Sequence, residues 1–236
     1  GIRLTDLFQE DGRAILGWAG GNAYTFMKNA MNRGVSGSFI TESSDRVEKA
    51  VSKLFNSNRQ IAYFSNKADA VKYALLFSKE STIVWKPWLT FQQDISSVKS
   101  IVFAPTFPWT DSIYIVAIQK DLYSENIELD DFAKNKMKIP FPLQAGIARS
   151  IYNLIEALSE RKETDWFIYD SILTKYWTRK GPYLFPKVPK ENYDKFVLHC
   201  LSLGIIINPN YDSPSIVPFG ADKGVFTKLK NTPFNC

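Results

Sequence analysis

The sequence is poor in the residues from which common catalytic and metal sites are built. It has one histidine, His199, and two cysteines, Cys200 and Cys236. A zinc site needs several Cys, His or carboxylate ligands in one place, and a single imidazole does not supply a His-based set. His199 and Cys200 are chain neighbours, and adjacent residues on a helix point in different directions, which argues against a thiol–imidazole dyad. One cysteine lies in an apolar helical pattern and the other is the last residue, so no disulfide framework is expected and the default setting is a reducing cytoplasm. No apolar run reaches the length of about 18 residues that spans a bilayer. The net charge is +5, yet no basic run exceeds two residues. A nucleic-acid footprint is a clustered stripe, so neither a membrane nor a nucleic acid is an expected partner. The chain opens GIRLTDLF, without Met or an apolar leader, and reads as trimmed.

What is present is a globular α/β pattern. With 236 residues, 45% hydrophobic and 22% charged, the chain has enough apolar surface to bury a substantial core. Asp11-Gly12 between short apolar runs predicts a two-residue hairpin turn. Helical spacing predicts helices over 22–33 and 41–54, the second with Val47, Ala50, Val51 and Leu54 on one face. A strand is expected over 59–64 and a helix over 68–78 with Val71, Ala74, Leu75 and Ser78 on one side. Short strands follow at 81–85, 100–104 and 112–118, two of them continuous apolar runs suited to burial on both faces. Pro140-Phe141-Pro142 marks a boundary. Beyond it the pattern predicts helices over 143–158 and 164–177, a turn at 178–182 and a strand at 184–188. A helix over 191–203, a strand start at 205–207, a loop over 208–218 and a last helix over 223–230 complete it. Strands alternating with helices imply a layered α/β core over 1–139, with a smaller α+β lobe over 140–236.

The stretch "IAYFSNKADAVKYALLFSKES", Ile61 to Ser81, is the most suggestive. A strand, a polar turn at Ser65-Asn66-Lys67 and a helix place free N–H groups of the helix start at the turn, a layout that often cradles a phosphate. Lys67 adds a positive charge able to hold an anion; equally, it is a solvated turn lysine. Glu125, Glu128, Asp130 and Asp131 form an acidic cluster, read as a solvated loop and helix cap before a metal or acid–base site. Arg179-Lys180-Gly181 could grip a carboxylate or be a surface turn. Trp85, Trp88 and Trp109 are read as space-filling or interface residues.

Three stretches together resemble a known family. "LFQEDGRAILGWAGGNAY" (Leu7 to Tyr24), the run from Gly37 to Ser78, and "IPFPLQAGIARSIYNLIEAL" with "RKGPYLFPKV" and "CLSLGIIINPNYDSPSIVPFGADKGVFTKL" are similar, in order, to the class III aminotransferases. These are pyridoxal-phosphate (PLP) enzymes of fold type I. The resemblance implies a PLP-transferase-like sheet core, a homodimer, and a phosphate turn that typically reads S-G-T-E-A. Here Asn66 stands for its Gly and Lys67 for its Thr, and Asp69 is taken as the counterpart of its Glu. The resemblance also implies a central segment carrying an aspartate for the ring nitrogen and a Schiff-base lysine, and no counterpart of either is found between Ser81 and Pro140. Lys86 and Lys120 lie near strands but are followed by Pro87 and Asp121. The cofactor is the electron sink, and the protein's lysine and carboxylate make it work. The resemblance therefore implies a shortened relative without a catalytic set, expecting no cofactor. Its roles would be interaction or the binding of an anionic small molecule at Ser65, Asn66 and Lys67. Two alternatives stand beside it: an active PLP-dependent transferase using Lys86 or Lys120, and a periplasmic ligand-binding domain.

Overall fold

The computed structural model describes residues 3–35, 45–89, 94–109, 111–132, 135–221 and 223–235. The start of the helix expected from Thr41, and Cys236, lie outside them. The chain divides into two compact units, Gly1–Trp18 with Glu160–Cys236, and Ala19–Ser159. The boundary expected at Pro140 thus falls inside the second unit, because the helix after it continues without a break to Glu160.

The first unit begins with β1 (Thr5–Asp6), paired in parallel with a strand from the far end of the chain. The Asp11-Gly12 hairpin is not formed. Gln9, Glu10 and Asp11 instead adopt left-handed backbone angles (φ 47°, 49° and 54°), followed by Gly12 at 99°. The turn's neighbours explain this outcome. Asp6 Oδ1 accepts from the Phe8 and Gln9 amides at 2.8 and 3.0 Å. The buried Gln9 carboxamide donates to the Ile216 carbonyl, 3.2 Å away and 207 residues on.

The second unit contains α1 (Ala23–Asn32), α2 (Asp45–Leu54), β2 (Arg59–Phe64), α3 (Lys67–Phe77), β3 (Thr82–Val84), β4 (Ser100–Phe103), β5 (Tyr114–Gln119), α4 (Lys120–Glu125) and α5 (Phe141–Glu160). In α2 the expected Val47, Ala50 and Val51 are buried, with Asp45 and Glu48 in the first turn and Lys53 in the last, complementing the helix dipole. The strands form one sheet in the order β2-β5-β4-β3. β5 is antiparallel to both β2 and β4, and β3 is parallel to β4. Hence β2, β3 and β4 run one way and β5 alone runs the other. All four residues of β4 and residues 115–118 of β5 are buried, as continuous apolar strands covered on both faces should be. α3 packs Ala70, Tyr73, Ala74 and Phe77 against Ala62, Phe64, Val102, Val116 and Ile118. Its inward face is therefore rotated from the expected one, and Leu75 is exposed. In α5, a side chain at Gly146 would come within 3.1 Å of the Phe107 ring, so glycine permits the helix its close approach.

Arg59, at the start of β2, is 2% exposed. Its guanidinium donates to Ser57 Oγ and to the carbonyls of Ile95, Ser96, Lys99 and Ala117 at 2.8–3.4 Å. Burial lowers its pKa to about 10. A buried cation is costly unless its donors are satisfied, and here backbone carbonyls carry that role across β2, β5 and the approach to β4.

The first unit resumes with α6 (Thr164–Phe167), α7 (Asp170–Leu173), β6 (Trp177–Lys180), β7 (Tyr183–Pro186), α8 (Tyr193–Ser202), β8 (Ile205–Ile206), β9 (Ser215–Ile216) and α9 (Thr227–Asn231). One three-stranded sheet has the order β6-β7-β9, and β1 pairs with β8. Two expectations change here. The helix read over 164–177 is two short helices followed by a strand, and Arg179-Lys180 lie in that strand, paired with Leu184 and Tyr183 across Gly181-Pro182. The loop read over 208–218 contains β9. It is drawn into the sheet by its pairing with β7 and by the Ile216 amide donating to the Leu7 carbonyl at 2.7 Å.

Candidate functional site

Ligands of α/β sheets gather where strand carboxyl ends open into loops. In the second unit, the ends of β2, β3 and β4 share one edge of the sheet. That edge carries Ser65-Asn66-Lys67, Trp85-Lys86 and the connection from Ala104 to Trp109. β5 ends on the opposite edge, so Lys120 stands at the other end of the sheet, beside a hollow lined by Asp45, Glu48, Lys49 and Arg59. Lys86 is on the same edge as the turn but three strand spacings away, about 14 Å.

At the turn, Ser65, Asn66 and Lys67 are exposed. Asn66 is in extended conformation (φ −138°, ψ 154°), not left-handed, and caps α3. Its Oδ1 accepts the Asp69 amide at 2.8 Å and its Nδ2 donates to Asp69 Oδ2 at 2.7 Å. Asn135 Nδ2 donates to the same oxygen at 2.8 Å. Hydrogen bonds from Asn66 and then Asn135 hold the Asp69 carboxyl below its ordinary value, so the helix start carries a carboxylate of its own. Asn66-x-x-Asp69 is the spacing of a capping box, a signal present in the sequence beneath the phosphate-turn reading.

One helical turn along α3, Tyr73 and Lys136 both bond the Asp130 carboxylate. Burial works to raise that carboxyl, but the hydrogen bonds from Lys136 and Tyr73 outweigh it and hold it low. The acidic cluster is thus divided: Asp130 joins Lys136 to Tyr73 of α3, Glu125 and Glu128 are exposed, and the Asp131 side chain lies outside those described. Among the described residues no group of three or more His, Cys, Asp or Glu could hold a metal.

The remaining candidates are structural. Trp85 is buried edge-on to Phe55 and Phe103, and Trp109 stacks on Phe107. Arg179 grips carboxylates of its own chain, Asp170 at 2.5 and 2.8 Å and Glu163 at 2.6 Å. Burial pushes the Cys200 thiol up to about 12, and His199 Nε2 lies 3.0 Å from the Thr232 carbonyl.

At this edge one N–H of the helix start, that of Asp69, is taken by Asn66, the Asp69 carboxylate stands beside it, and the positions after β3 and β4 are Trp85 and Ala104 rather than an acid.

The first unit holds a different site that no sequence pattern marked. A cavity of about 320 Å³ is lined by residues brought from three distant stretches, among them Arg3, Asp6, Trp18, Arg161 and Phe219. Asp6 Oδ2 accepts from the Trp18 indole at 2.8 Å. Arg161 donates to the Ile15 carbonyl at 3.0 Å, and its guanidinium lies 3.9 Å from the Phe219 ring centre.

No protein-family model matches the chain. An uncharacterized protein of Treponema pallidum is 22% identical over 259 residues, covering 92% of this chain and 84% of that protein. One of Borreliella burgdorferi is 23% identical over 241 residues, covering 99% and 85%. Among solved structures, ornithine aminotransferase from Plasmodium yoelii superposes with a TM-score of 0.64 at 12% identity, covering 97% of this chain and 87% of that one. 8-Amino-7-oxononanoate synthase from Francisella tularensis gives 0.68 at 10%, covering 96% of both chains. A serine palmitoyltransferase from S. paucimobilis with a bound PLP–myriocin aldimine gives 0.68 at 10%, covering 98% and 88%. The fold is the mixed α/β architecture of the PLP-dependent transferases. The spans lend no support to a missing central third. The chain crosses between its units twice, and the fold matched is the transferase one, not that of the ligand-binding-domain alternative. Among the described residues no helix is long and apolar enough to cross a membrane.

Proposed function

We propose that this protein keeps the PLP-transferase fold without transaminase chemistry and acts as a binding protein for a small anionic molecule. The observation that supports the absence of transaminase chemistry is the self-capped start of α3, where Asn66 and Asp69 bond each other at the turn that the resemblance reads as a phosphate cradle. A phosphate there would have to displace the Asn66 carboxamide and sit against the Asp69 carboxylate. The lysines support the same reading. Lys120 is on the wrong edge of the sheet, and Lys86 is separated from the turn by the width of β5 and β4.

The test is chemical. The protein is mixed with PLP, scanned for imine absorbance, reduced with borohydride and mapped by mass spectrometry. The expected result is no lysine modified above the level found on exposed surface lysines. Stoichiometric fixation on Lys86 would overturn the proposal in favour of an active transferase built from non-standard residues.

A further inference from the structure

We propose that the cavity of the first unit is a binding site for a small planar acid, an aromatic ring bearing a carboxylate or a phosphate. This rests on the binding-protein reading above and names its site.

The cavity's walls are built and held. Asp6 is committed to three N–H donors, from Phe8, Gln9 and the Trp18 indole. That fixes Trp18 in place while leaving the residue 54% exposed. Arg161 lies over the ring of Phe219, itself 49% exposed, and is braced by the Ile15 carbonyl. Exposed aromatic rings held in fixed positions present π-faces to a ligand at little cost in side-chain entropy. The lining includes two arginines, Arg3 and Arg161, and one carboxylate, Asp6, whose charge is already shared among three donors. The balance favours an anion. Burial lowers the Arg161 pKa, while nearby Asp165 and Glu160 act to raise it. At about 320 Å³ the cavity lies at the small end of ligand pockets.

A second, independent feature points to the same place. Gln9 lines the cavity and begins the run of three left-handed non-glycine residues. Such conformations are costly and collect at ligand sites, where the surrounding structure enforces them. Here the carboxamide of Gln9, itself a wall of the cavity, enforces the turn through its bond to the Ile216 carbonyl.

The experiment is calorimetric titration with benzoate and phenyl phosphate as the carboxylate and phosphate arms, and benzamide as the neutral control. Binding of either anion, with benzamide weaker by about tenfold or more, is expected, and the better arm identifies the anionic group. Arg161→Met should weaken the anion about tenfold or more, Arg161→Lys less, and Phe219→Ala should weaken all three probes. Lys67→Met should change nothing. Melting curves confirm that each variant is folded, and Arg161→Lys keeps the test open if Arg161→Met is not. No binding of either anion, equal binding of benzamide, or loss of binding in Lys67→Met with retention in Arg161→Met would each overturn the proposal. Because the borohydride test reads lysines and this one reads Arg161, the two proposals fail separately.

Discussion

Two turns in this molecule begin with the same device and end in opposite ways. Asp6 and Asn66 each use a side-chain oxygen to accept the backbone N–H three residues ahead, at Gln9 and at Asp69. After Asn66 the chain enters a right-handed helix whose Ala70, Tyr73, Ala74 and Phe77 are buried. After Asp6 it enters a left-handed turn held by a buried glutamine and a distant carbonyl. The local hydrogen bond does not choose the hand. What chooses is the next layer of packing: an amphipathic run that rewards continued helix in one case, and a tertiary anchor at Ile216 that outweighs backbone preference in the other. The relaxed turn closes on itself. The strained one borders an open cavity.

The largest test of this contrast is Asp6→Ala. It strips an acceptor from three N–H groups, and about 2–3 kcal/mol of stability should be lost. That lowers the melting temperature by roughly 5–10 °C and moves the Trp18 fluorescence toward that of free indole. A loss no greater than that of Asn66→Ala would erase the distinction between the turns. Asn66→Ala removes an N-cap and should cost about 1 kcal/mol, read from urea unfolding. The smallest effect is of opposite sign. Glu10→Gly relieves one left-handed residue, less the extra freedom given to the unfolded chain. A net gain of about 0.5 kcal/mol is expected, and a melting temperature that falls instead would show that the turn is unstrained at Glu10.

Legibility in the sequence followed the range of the interactions. β2 appears where expected, residue for residue, and β4 and β5 announce themselves as apolar runs, because burial on both faces is written in consecutive residues. The turn at Asp11-Gly12 was misleading because its conformation is set by Ile216, 207 residues from Gln9. β6 was hidden for a related reason: Trp-Thr-Arg-Lys has no apolar alternation, and its strand form depends on pairing with β7. Arg59 read as the polar first residue of a strand, yet it is among the most buried side chains, its partners being carbonyls that no pattern of side chains reveals. At Ser65-Asn66-Lys67 the sequence carries two signals, the layout of a phosphate turn and the Asn66-x-x-Asp69 spacing of a cap, and the second is formed. The cavity had no signature at all, since its walls come from within positions 3–18, from 161, and from 218–221 with 225.

The reversed direction of β5 carries a consequence for how this scaffold can change. Point substitution alters which side chain stands at a strand's end, but not the edge on which the strand ends. Of Lys67, Lys86 and Lys120, the first two stand on the edge where α3 begins, Lys86 three strands along it. Recruiting Lys120 would require the sheet to be re-threaded.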